Sequence, residues 1–211
     1  MNYYKETFET WNKIAKVYQD KFMDLDLYND TYDHFSTLIG KPNASVLEIG
    51  CGPGNITKKL LTKNPNLKLL GIDVSENMIT LAKQNNPTAE FRQMDCRDLG
   101  NLQNKFDAIV CGFCIPYLSE TDCATLIQNC NKLLHRDGVL YLSFVAGNYK
   151  QSGFISGSSG DRVYFYYHPL QSIEKALSIN SFTIKENSTK TYLKSDSTTE
   201  THTILLSKKN N

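Results

Sequence analysis

From residue 45 onward, short apolar runs alternate with stretches whose apolar residues recur every three or four positions. That alternation predicts strands and helices around a mostly parallel sheet. Residues 45–49 (Ser-Val-Leu-Glu-Ile) form a short apolar run that leads into glycines, and 55–63 space Ile56, Leu60 and Leu61 as one helical face. A second strand is expected over 67–73, after which Ser75 can cap a helix carrying Met78, Leu81 and Ala82. Residues 88–94 and 106–111 read as the third and fourth strands. The clearest helix covers 119–135, where Cys123, Leu126, Ile127, Cys130, Leu133 and Leu134 make a continuous stripe. Ser119 and Asp122 start it in the manner of a capping box, and Gly138 offers a stop. A fifth strand follows over 139–145 and a further helix over 170–180. The segments 181–193 and 198–207 have strand character on either side of a turn at 194–197, which predicts a terminal antiparallel hairpin. Residues 1–40 form an amphipathic, Tyr-rich helical segment ahead of the first strand.

One stretch breaks this order. Residues 147–168 hold four glycines with serines between them and end in Val163-Tyr164-Phe165-Tyr166-Tyr167-His168. A long, flexible, aromatic-ended insertion after a buried strand reads as a substrate lid. With neither repeat nor linker, 1–211 is expected to be a single domain, 1–40 its helical cap and 147–168 its lid.

Composition narrows the function classes. Forty per cent hydrophobic and 21% charged residues is ordinary for a globular chain. Lys plus Arg number 23 against 22 Asp plus Glu, a net charge of +1. That balance lacks the cationic surplus that phosphate backbones demand, so DNA is not an expected partner. Without a long apolar run or an apolar leader, neither a membrane span nor an export signal is expected. The six cysteines, at 51, 96, 111, 114, 123 and 130, fall at apolar positions of the expected elements. Reduced thiols in a cytoplasmic protein are the expectation. Cys111 and Cys114 have no second pair at zinc-ribbon spacing, and no metal is expected.

The densest chemical signal is Val46-Leu47-Glu48-Ile49-Gly50-Cys51-Gly52-Pro53-Gly54-Asn55. A strand delivers the chain into three alternate glycines and a helix follows. Such a loop brings backbone close to a ligand beside a positive helix N-terminus. The dinucleotide fingerprint Gly-x-Gly-x-x-Gly/Ala fits poorly, because Asn55 stands at its third glycine position. Glu48, Asp73 and Asp95 belong to the carboxyl ends of three successive strands, where open α/β sheets bind ligands.

With Gly71-Ile72-Asp73-Val74-Ser75, Met94-Asp95-Cys96-Arg97-Asp98-Leu99 and Phe106-Asp107-Ala108-Ile109-Val110, this loop resembles the class I S-adenosylmethionine-dependent methyltransferases, particularly their small-molecule branch. The resemblance is strong over about 40–145 and only an outline elsewhere. It implies a Rossmann-like, doubly wound α/β sheet of seven strands in order 3-2-1-4-5-7-6, the last antiparallel. It also implies S-adenosylmethionine as cofactor and S-adenosylhomocysteine as product. By position, Gly50, Cys51, Gly52, Gly54 and Asn55 would form the methionine loop, with Glu48 organising it and the cofactor's amino group. Asp73 would hold the ribose hydroxyls, Val74 and Met78 the adenine, and Asp95 with the Cys96 amide the adenine edge. Cys111, Gly112 and Phe113 would face the cofactor, and Tyr18 its carboxylate.

Methyl transfer from a sulfonium is an in-line displacement in which alignment does most of the work. A base is needed only where the nucleophile still holds its proton. His168 is the expected base, since an unperturbed imidazole titrates near neutrality, and Tyr117 is the second candidate. His135 reads as a cation at a helix C-terminus, and His34 and His202 carry no site pattern. The expected acceptor is a small molecule. The alternatives are a protein acceptor, a non-catalytic S-adenosylmethionine-binding protein, and, if the glycine spacing is relaxed, a nicotinamide enzyme.

Overall fold

The computed structural model describes residues 3–157 and 160–210. Three helices come first, α1 (Tyr3–Lys13), α2 (Ala15–Phe22) and α3 (Asn29–Ile39). They are followed by β1 (Ser45–Ile49), α4 (Asn55–Lys63), β2 (Lys68–Asp73), α5 (Glu76–Asn85), β3 (Glu90–Gln93) and β4 (Phe106–Gly112). Then come α6 (Glu120–Leu133), β5 (Leu134–Phe144), β6 (Gly153–Ser156), β7 (Arg162–Phe165), α7 (Leu170–Ile179), β8 (Phe182–Leu193) and β9 (Thr199–Lys209). Seven strands form one sheet in the order β3-β2-β1-β4-β5-β9-β8. Strands β1 to β5 pair in parallel, and β9 runs antiparallel to both β5 and β8. With the β6–β7 hairpin outside the sheet, this is the expected order 3-2-1-4-5-7-6.

The central strands are apolar on both faces because helices cover both. Alternation sorts each strand between two cores. Leu47, Ile49, Ile109, Leu140 and Leu142 meet α6 and α7 residues such as Leu126, Ile127, Ile173 and Leu177. Val46, Ala108, Val110 and Tyr141 meet Tyr32 and Phe35 of α3 and Ile56 and Leu60 of α4. Among the described residues no helix is long and apolar enough to cross a membrane.

Two local expectations differ from the structure. The helix expected over 119–135, with Gly138 as its stop, ends at Leu133, and β5 starts at once. Leu134 pairs with Phe106 and Val139 with Ala108, so 135–138 bulge out, with Asp137 left-handed at φ 61. Pairing with β4 overrides the helical stripe there. The stretch 147–168, read as flexible, carries the β6–β7 hairpin; residues 158–159 at its tip lie outside the described residues.

Candidate active site

The carboxyl ends of β1, β2 and β4 converge on the glycine loop. Gly50 turns with φ 67, and a Cβ there would stand 3.0 Å from the Cβ of Cys114. Gly54 caps the start of α4 with φ 81, and a Cβ there would collide with Asn86 Nδ2. Asp73 ties the loop to β2: its Oδ2 accepts from the Gly52 amide and its Oδ1 from the Ser75 amide, both at 2.9 Å. Burial raises the Asp73 pKa, while those amides oppose the rise. Behind the loop, the Thr57 hydroxyl donates to Oε2 of Glu48. Its Oε1 is buried without a partner among the described residues, and burial pushes the carboxyl up to about 8.

Two cavities open here. The first, a cleft of about 770 Å³ including its mouth, is lined by Gly50, Gly52, Asp73, Val74, Met78, Met94, Asp95 and Cys96, with Phe8 and Trp11 of α1 above. The second, about 1000 Å³ including its mouth, is walled by Phe22, Tyr28, Tyr32, Phe165, Tyr192 and His202, with Asn55, Lys59 and Glu200. Trp11, Tyr18, Gly50, Gly112, Phe113 and Tyr117 line both. Phe113 leaves β4 left-handed at φ 54, its amide donating to the backbone oxygen of Ser143 at 3.0 Å. Strain of this kind in a bulky residue concentrates at ligand sites.

Most of the expected cofactor residues therefore meet at one place, with five departures. Asn55 lines the second cavity alone. Glu48, Cys51, Gly54 and Cys111 line neither. Cys51 packs with Ile79, Ala82 and Phe91, and the alternation of β4 turns Cys111 into the central core while Gly112 faces the cavities. The Asp95 carboxylate already accepts from the Arg97 amide and guanidinium.

The expected base is the clearest correction. His168 is 1% exposed, lines neither cavity, and its Nε2 faces the carbonyls of Ile115 and Leu118, each at 3.1 Å. Those oxygens can only accept, so the ring donates, and burial lowers its pKa. It is a structural donor between β7 and the segment after β4. Tyr117 does line both cavities, but burial drives its pKa far above the ordinary phenol value. The histidine that reaches a cavity is His202, between Tyr28 and Glu200. The available signal was the alternation of the terminal strand, which sets 200 and 202 on one face.

The cleft fits a nucleoside with a charged tail. Asp73 offers acceptors at the end of β2, and apolar Val74 and Met78 adjoin it. The Nε1 donor of Trp11, in the wall of both cavities, is buried without a partner among the described residues, as a ligand acceptor would require. Residues 46–138 match the methyltransferase-domain family. The chain is similar to 235L of Invertebrate iridescent virus 6, whose name assigns it to the methyltransferases, at 36% identity over 112 residues, 53% of this chain and 40% of that protein. It is similar to an uncharacterized methyltransferase of Anoxybacillus flavithermus at 26% identity, covering 85% of this chain and 89% of that one. Its fold is similar to that of the N-methyltransferase NodS of Bradyrhizobium japonicum, solved in complex with S-adenosylhomocysteine, with TM-score 0.70 at 19% identity over 98% of this chain and 100% of that one. The sheet order, the glycine loop tied to Asp73 and the methyltransferase-domain match over residues 46–138 together support a class I S-adenosylmethionine-dependent methyltransferase, with S-adenosylmethionine as the cofactor.

Proposed function

We propose that this protein moves the methyl group of S-adenosylmethionine, held in the first cavity, to a small flat acceptor held in the second. The observation that carries this reading is the common wall. Tyr18, Gly50, Gly112 and Phe113 line both cavities, so ligands in the two would meet there. When bound, the cofactor supplies an electrophilic methyl on a positively charged sulfur. The chain supplies alignment and excludes water, the means by which two bound reactants become effectively one. Asp73 accepts from the ribose hydroxyls, Val74 and Met78 pack on the adenine, and the Cys96 amide meets its edge. Asp95 contributes what its bonds to Arg97 leave free. Gly50, Cys51, Gly52 and Gly54 shape the methionine loop, and Glu48 holds it from behind through Thr57. Tyr18 and Trp11 close over the reacting end. The aromatic walls of the second cavity suit a flat ring by stacking and edge contacts, and the β6–β7 hairpin serves as its lid.

Calorimetric titration with S-adenosylhomocysteine, beside NADH, tests the reading. We expect micromolar binding of the first and none of the second. Asp73→Ala removes a charged acceptor and weakens binding by about 10- to 100-fold, since such hydrogen bonds contribute about 1.5–3 kcal/mol. NADH binding in place of S-adenosylhomocysteine would overturn the assignment.

A further inference from the structure

One polar assembly stands in the aromatic wall of the second cavity. Tyr28, between α2 and α3, meets Nδ1 of His202 through its hydroxyl at 2.6 Å. Nε2 of the same ring meets Oε2 of Glu200 at 3.0 Å. A carboxylate can only accept, so Nε2 carries a hydrogen, and in its neutral form the ring accepts the Tyr28 hydroxyl proton at Nδ1. The ring cannot turn away. Tyr192 stacks on it at 5.3 Å and 15°, and Phe113 meets it edge-on at 4.7 Å. His202 is 6% exposed and Tyr28 7%, so both bonds form out of bulk water. All three residues line the second cavity, and Phe113 links them to the first.

We propose that Tyr28, His202 and Glu200 form a proton relay that takes the hydroxyl proton of the acceptor, which makes the reaction an O-methyl transfer to a phenol- or enol-type hydroxyl on a flat ring. This rests on the two-cavity reading above. An ordinary phenol, with a pKa of about 10, keeps its proton near neutrality and is then a poor nucleophile. A neutral amine has its lone pair ready and can shed its proton after the transfer, so a buried relay gains it little. Glu200 also offers no free anionic seat for an ammonium acceptor. Lys194 lies 2.9 Å from its Oε1, and His202 holds Oε2.

The step balances as follows. The acceptor oxygen forms its bond to the methyl carbon while the carbon–sulfur pair stays on sulfur, leaving a neutral thioether. The acceptor O–H proton moves to the Tyr28 oxygen as the Tyr28 proton moves to His202 Nδ1. The imidazolium that results stands against the Glu200 carboxylate, which the His202 bond and Lys194 hold below the usual carboxylate range. Tyr28 is the group that faces the acceptor, while His202 acts through it and Glu200 through His202. Burial raises the Tyr28 phenol as it does that of Tyr117, so Tyr28 is no phenolate base. It serves only because Nδ1 of His202 takes its proton as it receives the acceptor's. Other charged or titratable groups near the assembly are Tyr192, with Lys21 near its face, Lys190 opposite His202 in the ladder with its partner Asp30, and Tyr32, Tyr141 and Tyr18, which bear on Tyr28. Tyr18 and Lys59 also line the cavity.

The probe is 4-nitrophenol, coloured only as its phenolate, titrated against pH on protein saturated with S-adenosylhomocysteine. For wild type we expect the bound probe's midpoint to fall by about one pH unit, about tenfold more phenolate at a given pH. Tyr28→Phe and His202→Gln should still bind the probe but return its midpoint to that of the free phenol, with Glu200→Gln in between. Equal midpoints in wild type and in the variants that bind S-adenosylhomocysteine would overturn the relay. Failure of wild type to bind the probe would overturn the acceptor class. S-adenosylhomocysteine affinity, measured by calorimetry on each variant, identifies those that keep the fold and separately tests the cofactor reading. Glu200, at the edge of the assembly, provides the variant least disruptive to folding.

Discussion

Glu48 sets a pH dependence at the scale of one residue. Its carboxyl is raised from 4.5 to about 8 by burial, so the folded chain holds a proton there that the unfolded chain has released. Stability from this group is therefore greatest below about 4.5 and declines as pH rises through that window to about 8. Glu48→Gln should flatten that decline, as urea unfolding of the ligand-free protein at the two ends of the window would show. An unchanged slope would mean that another group carries it. Gly54 is decided by space and backbone together. Gly54→Ala puts a Cβ at φ 81 and against Asn86 Nδ2, which already donates to the Gly54 oxygen at 3.0 Å. We expect a loss of about 2 kcal/mol, read from the denaturation midpoint.

Among the elements, the β6–β7 hairpin is the one whose nature depends on distant partners. It docks on α1 through bonds from far upstream in the chain. The Tyr164 amide donates to Thr7 Oγ1 at 3.0 Å, the Thr10 hydroxyl donates to the Arg162 oxygen at 2.8 Å, and Tyr3 stacks on Tyr164 at 4.3 Å. Thr7 is buried, so Thr7→Val keeps its shape while leaving the Tyr164 amide without an acceptor. We expect that amide to exchange with deuterium faster than in wild type, and stability to fall by about 1 kcal/mol. Unchanged exchange would show that the stacked rings hold the hairpin without Thr7. Glycines and serines made this stretch read as an open loop, because nothing within it records that α1 lies alongside. The end of α6 failed to read correctly for the same reason: its stripe continues to Leu134, but pairing of that residue with Phe106 begins β5.

At the scale of the molecule, α1 and α2 line both cavities and Phe165 of the hairpin lines the second, so cofactor binding should tighten parts remote in sequence. Saturating S-adenosylhomocysteine, at about a hundredfold over its Kd, should add about 2.7 kcal/mol of stability and raise Tm accordingly. It should also slow amide exchange in α1 and α2, and Asp73→Ala at that concentration should keep only about 0.4–1.4 kcal/mol of the stabilisation and correspondingly weaker protection. A rise in Tm without protection of those helices would mean that they take no part in holding the ligand. By itself, the sequence determined the alternating elements, the sheet order through its family resemblance, and the glycine loop with Asp73. Those features are local: periodicity fixes which face is buried, and glycine spacing fixes where the backbone can turn left-handed. Only the tertiary structure decided between the histidines. His168 ends an aromatic run that looks like a site, yet packing turns it onto two carbonyls. His202 lies in an unremarkable strand, and only the placement of β9 beside β5, with Tyr28 brought in just ahead of α3, makes it part of a cavity wall. The partners of a side chain depend on which strands become neighbours, and that is a property of the whole fold.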